Sequence, residues 1–362
     1  MSDNRTFDFY AENRDSFYRK LIIESVLIQG KYDADSEVSI ILTTYKRPEL
    51  LKEALESAIN QKGYNKYQIL VVDNEGAPLE KETETSMLMK KYDIDKVMYF
   101  RHKKGVIHVT DSAVRLARTK WFVCLHDDDM LSPYHLKIMS EIVNTHPTIK
   151  FLSGVRKNFS DGNEFEKDKI KNFKYQIIKQ SKYANCLGFY VSWQGALINR
   201  NAYINVGGMP TISNHLGDYC MVQKFHNKYG VYELQGNHPL YYGRYWEGRA
   251  SSGGTQIWTQ LYKNEYNYHQ YVSQYYHSLT KSFWNRISLY RILDKALYTN
   301  ISNYKTQIDI EQIANEAQIG EDYFFRTELY RKDMAKKFIY ECFIDKLNKK
   351  MVNGEVLIDD TE

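Results

Sequence analysis

Residues 38–73, VSIILTTYKRPELLKEALESAINQKGYNKYQILVVD, decide the fold. Val38–Thr44 is an apolar run long enough for a buried strand and too short for a helix. Pro48 then stands where a helix opens, because its missing N–H is not needed in the first turn. Leu50, Leu51, Ala54, Leu55, Ala58 and Ile59 follow at helical spacing. A second apolar run, YQILVVD, ends at Asp73. The unit is therefore strand, helix, strand.

The same alternation continues outward. A polar helix is expected near residues 79–91, a strand at KVMYF (96–100) and a helix near 109–118. The strand WFVCLH (121–126) ends at Asp127, Asp128 and Asp129. Ser132 and Pro133 read as cap and first turn of a helix to about Asn144, and KFLSGV (150–155) reads as a further strand. Repeated strand–helix units with right-handed crossovers predict an α/β fold with a mostly parallel central sheet and helices on both faces. Ligands in such sheets bind beyond the carboxyl ends of the strands. Thr43 to Arg47, Asp73 and the acidic triplet all fall at such ends.

Composition bounds the rest. The chain has 362 residues, enough for one large domain with appendages or for two domains. Hydrophobic residues make up 43% and charged residues 26%, which excludes wholesale disorder. The 49 Lys and Arg against 45 Asp and Glu leave +4, too small an excess to call for nucleic acid. No apolar run approaches the roughly 18 residues of a membrane span. The first twenty residues lack the apolar middle of a secretory signal, and Ser2 excludes myristoylation. Cys124, Cys186, Cys220 and Cys342 lie far apart, so a reducing cytoplasm is the expected setting. Residues 1–36 read as an N-terminal helical extension, with Phe17, Tyr18, Leu21, Ile22 and Val26 as a loose apolar stripe. Residues 240–362 contain no proline, and 255–362 read as a C-terminal helical region.

The usual phosphate loops are missing: no GxGxxG follows the first strand and no GxxxxGK[ST] occurs anywhere. Clustered carboxylates repel a diphosphate, but they hold a hard divalent cation that can bridge to it. His126-Asp127-Asp128-Asp129 thus reads either as a metal–diphosphate site or as an acidic loop capping the next helix.

SIILTTYKRPELLKEALESAINQ, ILVVDNEG, FVCLHDDDMLSP, GALINRNAYINVGGM and LGDYC, in that order, resemble the family 2 glycosyltransferases of GT-A fold over roughly residues 37–250. The resemblance implies a GT-A domain at 37–254 that moves a sugar from a nucleotide-diphosphate donor, a UDP-sugar, to a hydroxyl acceptor. It implies inversion, a Mn²⁺ or Mg²⁺ ion and a bacterial-type surface glycan or glycoconjugate as product. By the same resemblance Thr43, Tyr45 and Arg47 cradle the nucleoside, Asp73 accepts a hydrogen bond from the base, Asp127 contacts ribose or assists the metal, and Asp128 binds the ion. Asp218 becomes the catalytic base, with His215 as the runner-up. Each has a plain structural alternative: a polar turn for 43–48, a turn residue for Asp73, a helix cap for Asp218; Asp129 reads as a support behind the metal ligands, a helix cap or both.

The chain also departs from the family pattern. His126 stands where many members carry the first Asp of the acidic motif. Asp111 stands where an Asn often faces the nucleotide, and is expected either to add negative charge there, to face solvent or to meet Arg115 one turn on. Trp246 falls where some relatives place a metal-binding His. Arg244 or Arg249 is expected to offset diphosphate charge or to make salt bridges. Trp193, beside Gln194, is expected to stack on an acceptor sugar or to pack in the core. Dimerisation, acceptor binding and docking on the inner face of a membrane are all open to the Tyr-rich tail. Two competing readings are a non-catalytic nucleotide-sugar or glycan binding module on this fold, and a sugar nucleotidyltransferase, whose glycine-rich loop is absent.

Overall fold

The structure is a computed structural model that describes residues 14–19, 25–92, 94–102, 109–160, 170–187, 191–209, 217–245, 277–302 and 348–358. In its central strands, side chains alternate between two buried faces. On β2 (Val38–Thr44), Val38, Ile40 and Leu42 enter one core while Ile41 enters the other. On β3 (Tyr67–Asp73), Tyr67, Ile69 and Val71 divide from Leu70 and Val72 in the same way. That explains why these runs are continuously apolar. The first core is covered by α2 (Pro48–Ile59) and α5 (His135–Thr145), and the second by α4 (Val109–Leu116), α6 (Arg200–Asn205) and α7 (Gly217–Lys228).

With β4 (Val97–His102) and β5 (Trp121–His126), these strands form a parallel core in the order β4-β3-β2-β5. Thr44 pairs with Asp73, and Thr43 with His126, so the polar ends are level. Beyond β5 the sheet continues through β10 (Leu197–Asn199), β7 (Phe151–Ser153), β11 (Tyr232–Gly236) and β9 (Asn172–Lys179), mostly antiparallel. A separate three-stranded sheet joins β6 (Met130–Leu131), β12 (Tyr241–Arg244) and β8 (Arg156–Phe159). It carries Tyr241 and Arg244 toward the acidic triplet.

Several boundaries differ from expectation. The polar helix is only α3 (Glu84–Met89), capped by Thr83 and Ser86. Before it, the buried Arg101 guanidinium donates to the carbonyls of Pro78, Leu79 and Lys81 at 3.0–3.2 Å. Those carbonyls thereby find a partner outside any helix. The helix after the acidic triplet begins at His135, with Ser132 and Pro133 in a turn whose Ser132 carbonyl accepts from His135 N–H.

The terminal regions need a larger correction. Residues 1–36 are not uniformly helical. A short α1 (Arg14–Arg19) buries Phe17 completely, but Ser25–Gln29 is a strand, β1, antiparallel to β4 at the sheet edge. Val26 lies on that strand, and Leu21 and Ile22 lie outside the described residues. The edge of β4 offers a ladder of backbone donors and acceptors that a free helix would leave unpaired. Gly30 ends the strand at φ +86°, where a Cβ would meet the Val97 carbonyl oxygen at 2.2 Å. Likewise the tail holds α8 (Lys281–Ser302) but also β13 (Lys349–Leu357), which pairs antiparallel with β9 and closes the other sheet edge. No described helix is long and apolar enough to cross a membrane.

Candidate active site

Asp127 knits β2 to β5. It is 6% exposed. Thr44 Oγ1 donates to its Oδ2 at 2.9 Å, and Tyr45 N–H reaches the same oxygen at 3.4 Å. Arg47 Nη1 is 3.4 Å from Asp127 Oδ1 and 3.8 Å from Asp128 Oδ2. Burial pushes the Asp127 carboxyl above the usual carboxylate range, opposed by Thr44 and Arg47. Lys46 takes a left-handed φ of +55°, uncommon outside glycine, and the bend leaves Tyr45 53% exposed at the rim. Thr43 is half-buried opposite His126. Of the residues expected to cradle a nucleoside, Tyr45 and Arg47 thus sit on a loop braced by Asp127. Thr44, not Thr43, supplies the bracing hydroxyl.

Asp73 is 1% exposed. It accepts from Tyr99 Oη at 2.7 Å and from Glu75 N–H at 2.9 Å, with Arg101 Nε at 4.0 Å. The bond two residues on makes it a turn residue as well. Burial and the adjacent carboxylate keep the Tyr99 phenol protonated, its pKa far above 10. Beside this turn, an open groove of about 350 Å³ runs between Lys46, Pro48, Glu75, Lys81, Thr83 and Met87.

Asp129 is bonded on both carboxylate oxygens. Its Oδ1 accepts from Arg244 N–H at 2.8 Å, and its Oδ2 accepts from the Tyr241 hydroxyl. His126 Nδ1 is 3.8 Å from the same Oδ2. Ligand atoms of His126, Asp128 and Asp129 all lie within 4.8 Å of one another, and His126 and Asp128 are partly exposed. One imidazole nitrogen and two carboxylates form a donor set that fits a divalent ion, with the imidazole favouring Mn²⁺ over Mg²⁺. Sequence reasoning singled out Asp128 alone. The i, i+2, i+3 spacing of His126, Asp128 and Asp129 across a strand end was the available signal.

Arg244 bridges outward from this cluster. Its Nε donates to the Asp128 carbonyl at 3.0 Å, its Nη2 pairs with Glu53, and its guanidinium lies 4.7 Å from the centre of the Phe159 ring. The salt-bridge alternative for Arg244 is therefore realised. Trp246, Arg249 and His215 lie outside the described residues.

Asp218 sits in the first turn of α7, where the helix dipole favours negative charge. Tyr219 N–H donates to its Oδ1 at 2.7 Å, and the Trp193 indole Nε1–H donates to its Oδ2 at 3.1 Å. Trp193 is itself 5% exposed and meets His126 edge-on, ring centres 5.7 Å apart. One indole therefore joins the acidic cluster to Asp218. Burial raises the Asp218 pKa, opposed by the Tyr219 N–H, His126 and the indole. Two residues on, Gly195 has φ +69°, and a Cβ there would meet Tyr241 Cδ2 at 2.3 Å. Only glycine lets this loop lie against the tyrosine that holds Asp129.

Asp111 neither faces solvent nor stands unpartnered. Its Oδ1 accepts from Tyr203 Oη at 2.6 Å and from Met209 N–H at 3.2 Å, tying α4 to the Gly207–Gly208 turn. Gly208 has φ +63°, and a Cβ there would lie 2.5 Å from Asp111 Oδ1 and 2.9 Å from Phe17 Cδ2. Arg115 stacks on the Phe17 ring at 4.9 Å.

Residues 39–207 match the family described as Glycosyl transferase family 2. Residues 39–207 thus carry the pattern of a family 2 glycosyltransferase domain. The matched segment holds the rim and the acidic triplet, and Asp218 follows it. An uncharacterized glycosyltransferase of Methanocaldococcus jannaschii is 27% identical over 147 residues, 40% of this chain and 50% of that protein. The chain thus spans half the length of that curated relative. Among solved structures, S. aureus TarS 1–349 in complex with UDP-GlcNAc is similar with a TM-score of 0.55 and 13% identity, covering 90% of this chain and 100% of that one. The same TarS segment in complex with UDP gives 0.54 and 12%, covering 86% and 89%. At such identities the likeness speaks for the GT-A architecture of this glycosyltransferase domain.

Proposed function

We propose that this domain transfers a sugar from a UDP-sugar to a hydroxyl acceptor with inversion, with the help of Mn²⁺ or Mg²⁺. The observation that carries the reading is the Trp193 indole, which touches both Asp218 and His126 and so brings a proton acceptor beside a metal-competent cluster. The TarS structures with UDP and UDP-GlcNAc support the choice of donor.

His126, Asp128 and Asp129 would hold the ion. When bound, it supplies positive charge against the leaving diphosphate. Asp127 braces the loop that carries Tyr45 and Arg47 toward the nucleoside, with Asp73 at the neighbouring strand end. In the transfer step the acceptor oxygen bonds to the anomeric carbon as the bond from that carbon to the diphosphate oxygen breaks. The electron pair stays on the departing diphosphate, and the acceptor proton passes to Asp218. A single displacement inverts the carbon. Burial suits Asp218 to this work, since a base with a raised pKa takes a proton more readily.

We assign the reaction to the cytoplasm, where the buried cysteines Cys124, Cys186 and Cys220 stay reduced. The product is a surface glycan or glycoconjugate precursor. The test is a panel of UDP-, GDP- and dTDP-sugars with hydroxyl acceptors, in Mn²⁺, Mg²⁺ or EDTA, reading the nucleoside diphosphate released. Release of UDP that needs both ion and acceptor is expected. Binding of UDP-sugars with no turnover for any pair would turn the reading into a binding module. Pyrophosphate from a nucleoside triphosphate would turn it into a nucleotidyltransferase.

A further inference from the structure

We infer that Trp193 is a positioning residue for the base: its indole N–H holds the Asp218 carboxylate in place for proton transfer, and its ring does not serve as an open platform for acceptor sugar. The inference rests on the assignment of Asp218 as base.

The geometry carries it in three steps. First, Trp193 is 5% exposed and belongs to the core cluster that also holds Ile198, Met221 and Phe225. Its ring is surrounded, so a sugar cannot stack on an open face without displacing that packing. Second, a buried indole N–H needs an acceptor. Asp218 Oδ2 is that acceptor at 3.1 Å, and it is the only side-chain donor contact to Asp218 among the described residues. The other bond, from Tyr219 N–H to Oδ1, belongs to the turn of α7 itself. Of the two restraints, the indole is the one that reaches the carboxylate from another part of the chain, across from the packing of Met221, Val222 and Phe225 that seats α7 on the sheet. Third, the indole is itself fixed. Gly195 turns the chain behind it at φ +69°, with Gly195 N–H bonded to the Cys124 carbonyl at 3.0 Å and Ala196 N–H to the Trp193 carbonyl at 3.0 Å. His126 closes the remaining edge at 5.7 Å. A rigid donor on the strand side therefore sets one oxygen of the carboxylate. Among the described residues each oxygen accepts a single bond, which leaves a lone pair for an incoming hydroxyl.

A loose carboxylate samples orientations in which it misses the proton, and misplacement of about 1 Å can cost on the order of 10²-fold. Donor binding depends on the other rim, so the effect should fall on turnover and not on affinity for UDP.

The test replaces Trp193 by Phe and, because Phe leaves a void in a packed site, also by 3-benzothienylalanine, which keeps the ring shape and puts sulfur where the N–H was. Asp218→Asn and the double variant W193F/D218N complete a cycle. Two quantities are read: turnover as UDP released from the best donor–acceptor pair of the panel, and the UDP dissociation constant with Mn²⁺ by calorimetry. In ¹⁵N-labelled protein, the indole signal lost in W193F is followed in D218N. Expected are a ten- to hundredfold fall in turnover for both Trp193 variants, UDP affinity within twofold of the parent, no further loss from W193F in the D218N background, and a shifted Trp193 indole resonance in D218N. Full turnover in the benzothienylalanine protein, or an indole resonance indifferent to D218N, overturns the inference while leaving Asp218 as base. Full turnover in D218N instead overturns the base assignment, and this inference falls with it. A chain inactive on the whole panel overturns both.

Discussion

The two sides of the cleft are built differently. On the donor side, at the ends of β2 and β5, Asp127 and Asp129 are each held by several donors from other elements: Thr44, Tyr45 and Arg47 for one, Tyr241 and Arg244 for the other. On the side proposed for the acceptor, Asp218 has, among the described residues, one long-range side-chain donor, Trp193, and a bond within its own turn. A heavily braced carboxylate is fixed in direction, and its loss strands buried donors, while each Asp129 oxygen, accepting one hydrogen bond among the described residues, keeps a lone pair for an ion. A lightly braced, desolvated one contributes chemistry, because its proton affinity is raised and its coordination is incomplete. The contrast predicts that acids on the two sides fail in different ways when removed.

The largest effect is expected at Asp218. Asp218→Asn should lower turnover by about 10²–10⁴-fold, the usual range for a general base, with UDP affinity unchanged within twofold. A variant with unimpaired turnover would erase the contrast. The pH dependence follows in sign. A carboxyl whose folded pKa is raised takes up protons on folding, so the fold loses stability as pH rises through the unfolded and then the folded pKa. Asp218→Asn should therefore melt higher than the parent near neutral pH, with the gap closing as pH falls below the ordinary carboxylate range. Turnover should fall on the acid side through a pKa above that range. Thermal melts and pH–rate profiles check both.

Removal of a bracing acid should act on stability first. Asp111→Ala takes the acceptor from the buried Tyr203 hydroxyl, roughly 1–3 kcal/mol. Asp111→Asn keeps an acceptor oxygen and should recover much of the loss. Denaturant titration measures the difference, and equal stability for the two variants would contradict the assigned role.

Smallest is Tyr45→Ala. The side chain is 53% exposed, so stability should change by less than about 0.5 kcal/mol. The donor KM should rise severalfold with kcat nearly unchanged, which separates a nucleoside contact from the base. A KM equal to the parent's would remove Tyr45 from the donor site.

The same contrast explains how much could be read in advance. The parallel core was legible because Val38–Thr44 and Tyr67–Asp73 bury both faces, and a strand buried on both sides must be continuously apolar. The position of Asp218 at a helix start was legible for a similarly local reason. The two edge strands were not. Ser25–Gln29 has no fully buried side chain and Lys349–Leu357 is largely exposed, and each is fixed by a ladder to a distant strand, β4 in one case and β9 in the other. Nothing within nine residues signals such pairing. Asp129 and Asp111 were opaque for the same reason: their partners, Tyr241 and Tyr203, lie 112 and 92 residues away. Proximity in sequence to Asp128 suggested a cap, a place behind the metal ligands or both for one, and proximity to Arg115 a charge contact for the other, which the structure keeps. Neither suggestion involves the tyrosine that decides the role.

The central claim is that an ion held by His126, Asp128 and Asp129 and the carboxylate of Asp218 face the same bound diphosphate. A crystal structure with UDP and Mn²⁺, with the ion located by its anomalous scattering, tests it directly. The account predicts an anomalous peak within bonding distance of Asp128, the diphosphate between that peak and Asp218, and the uracil ring toward Tyr45 and Asp73. An ion elsewhere, or UDP bound with Asp218 turned out of the cleft, would contradict it.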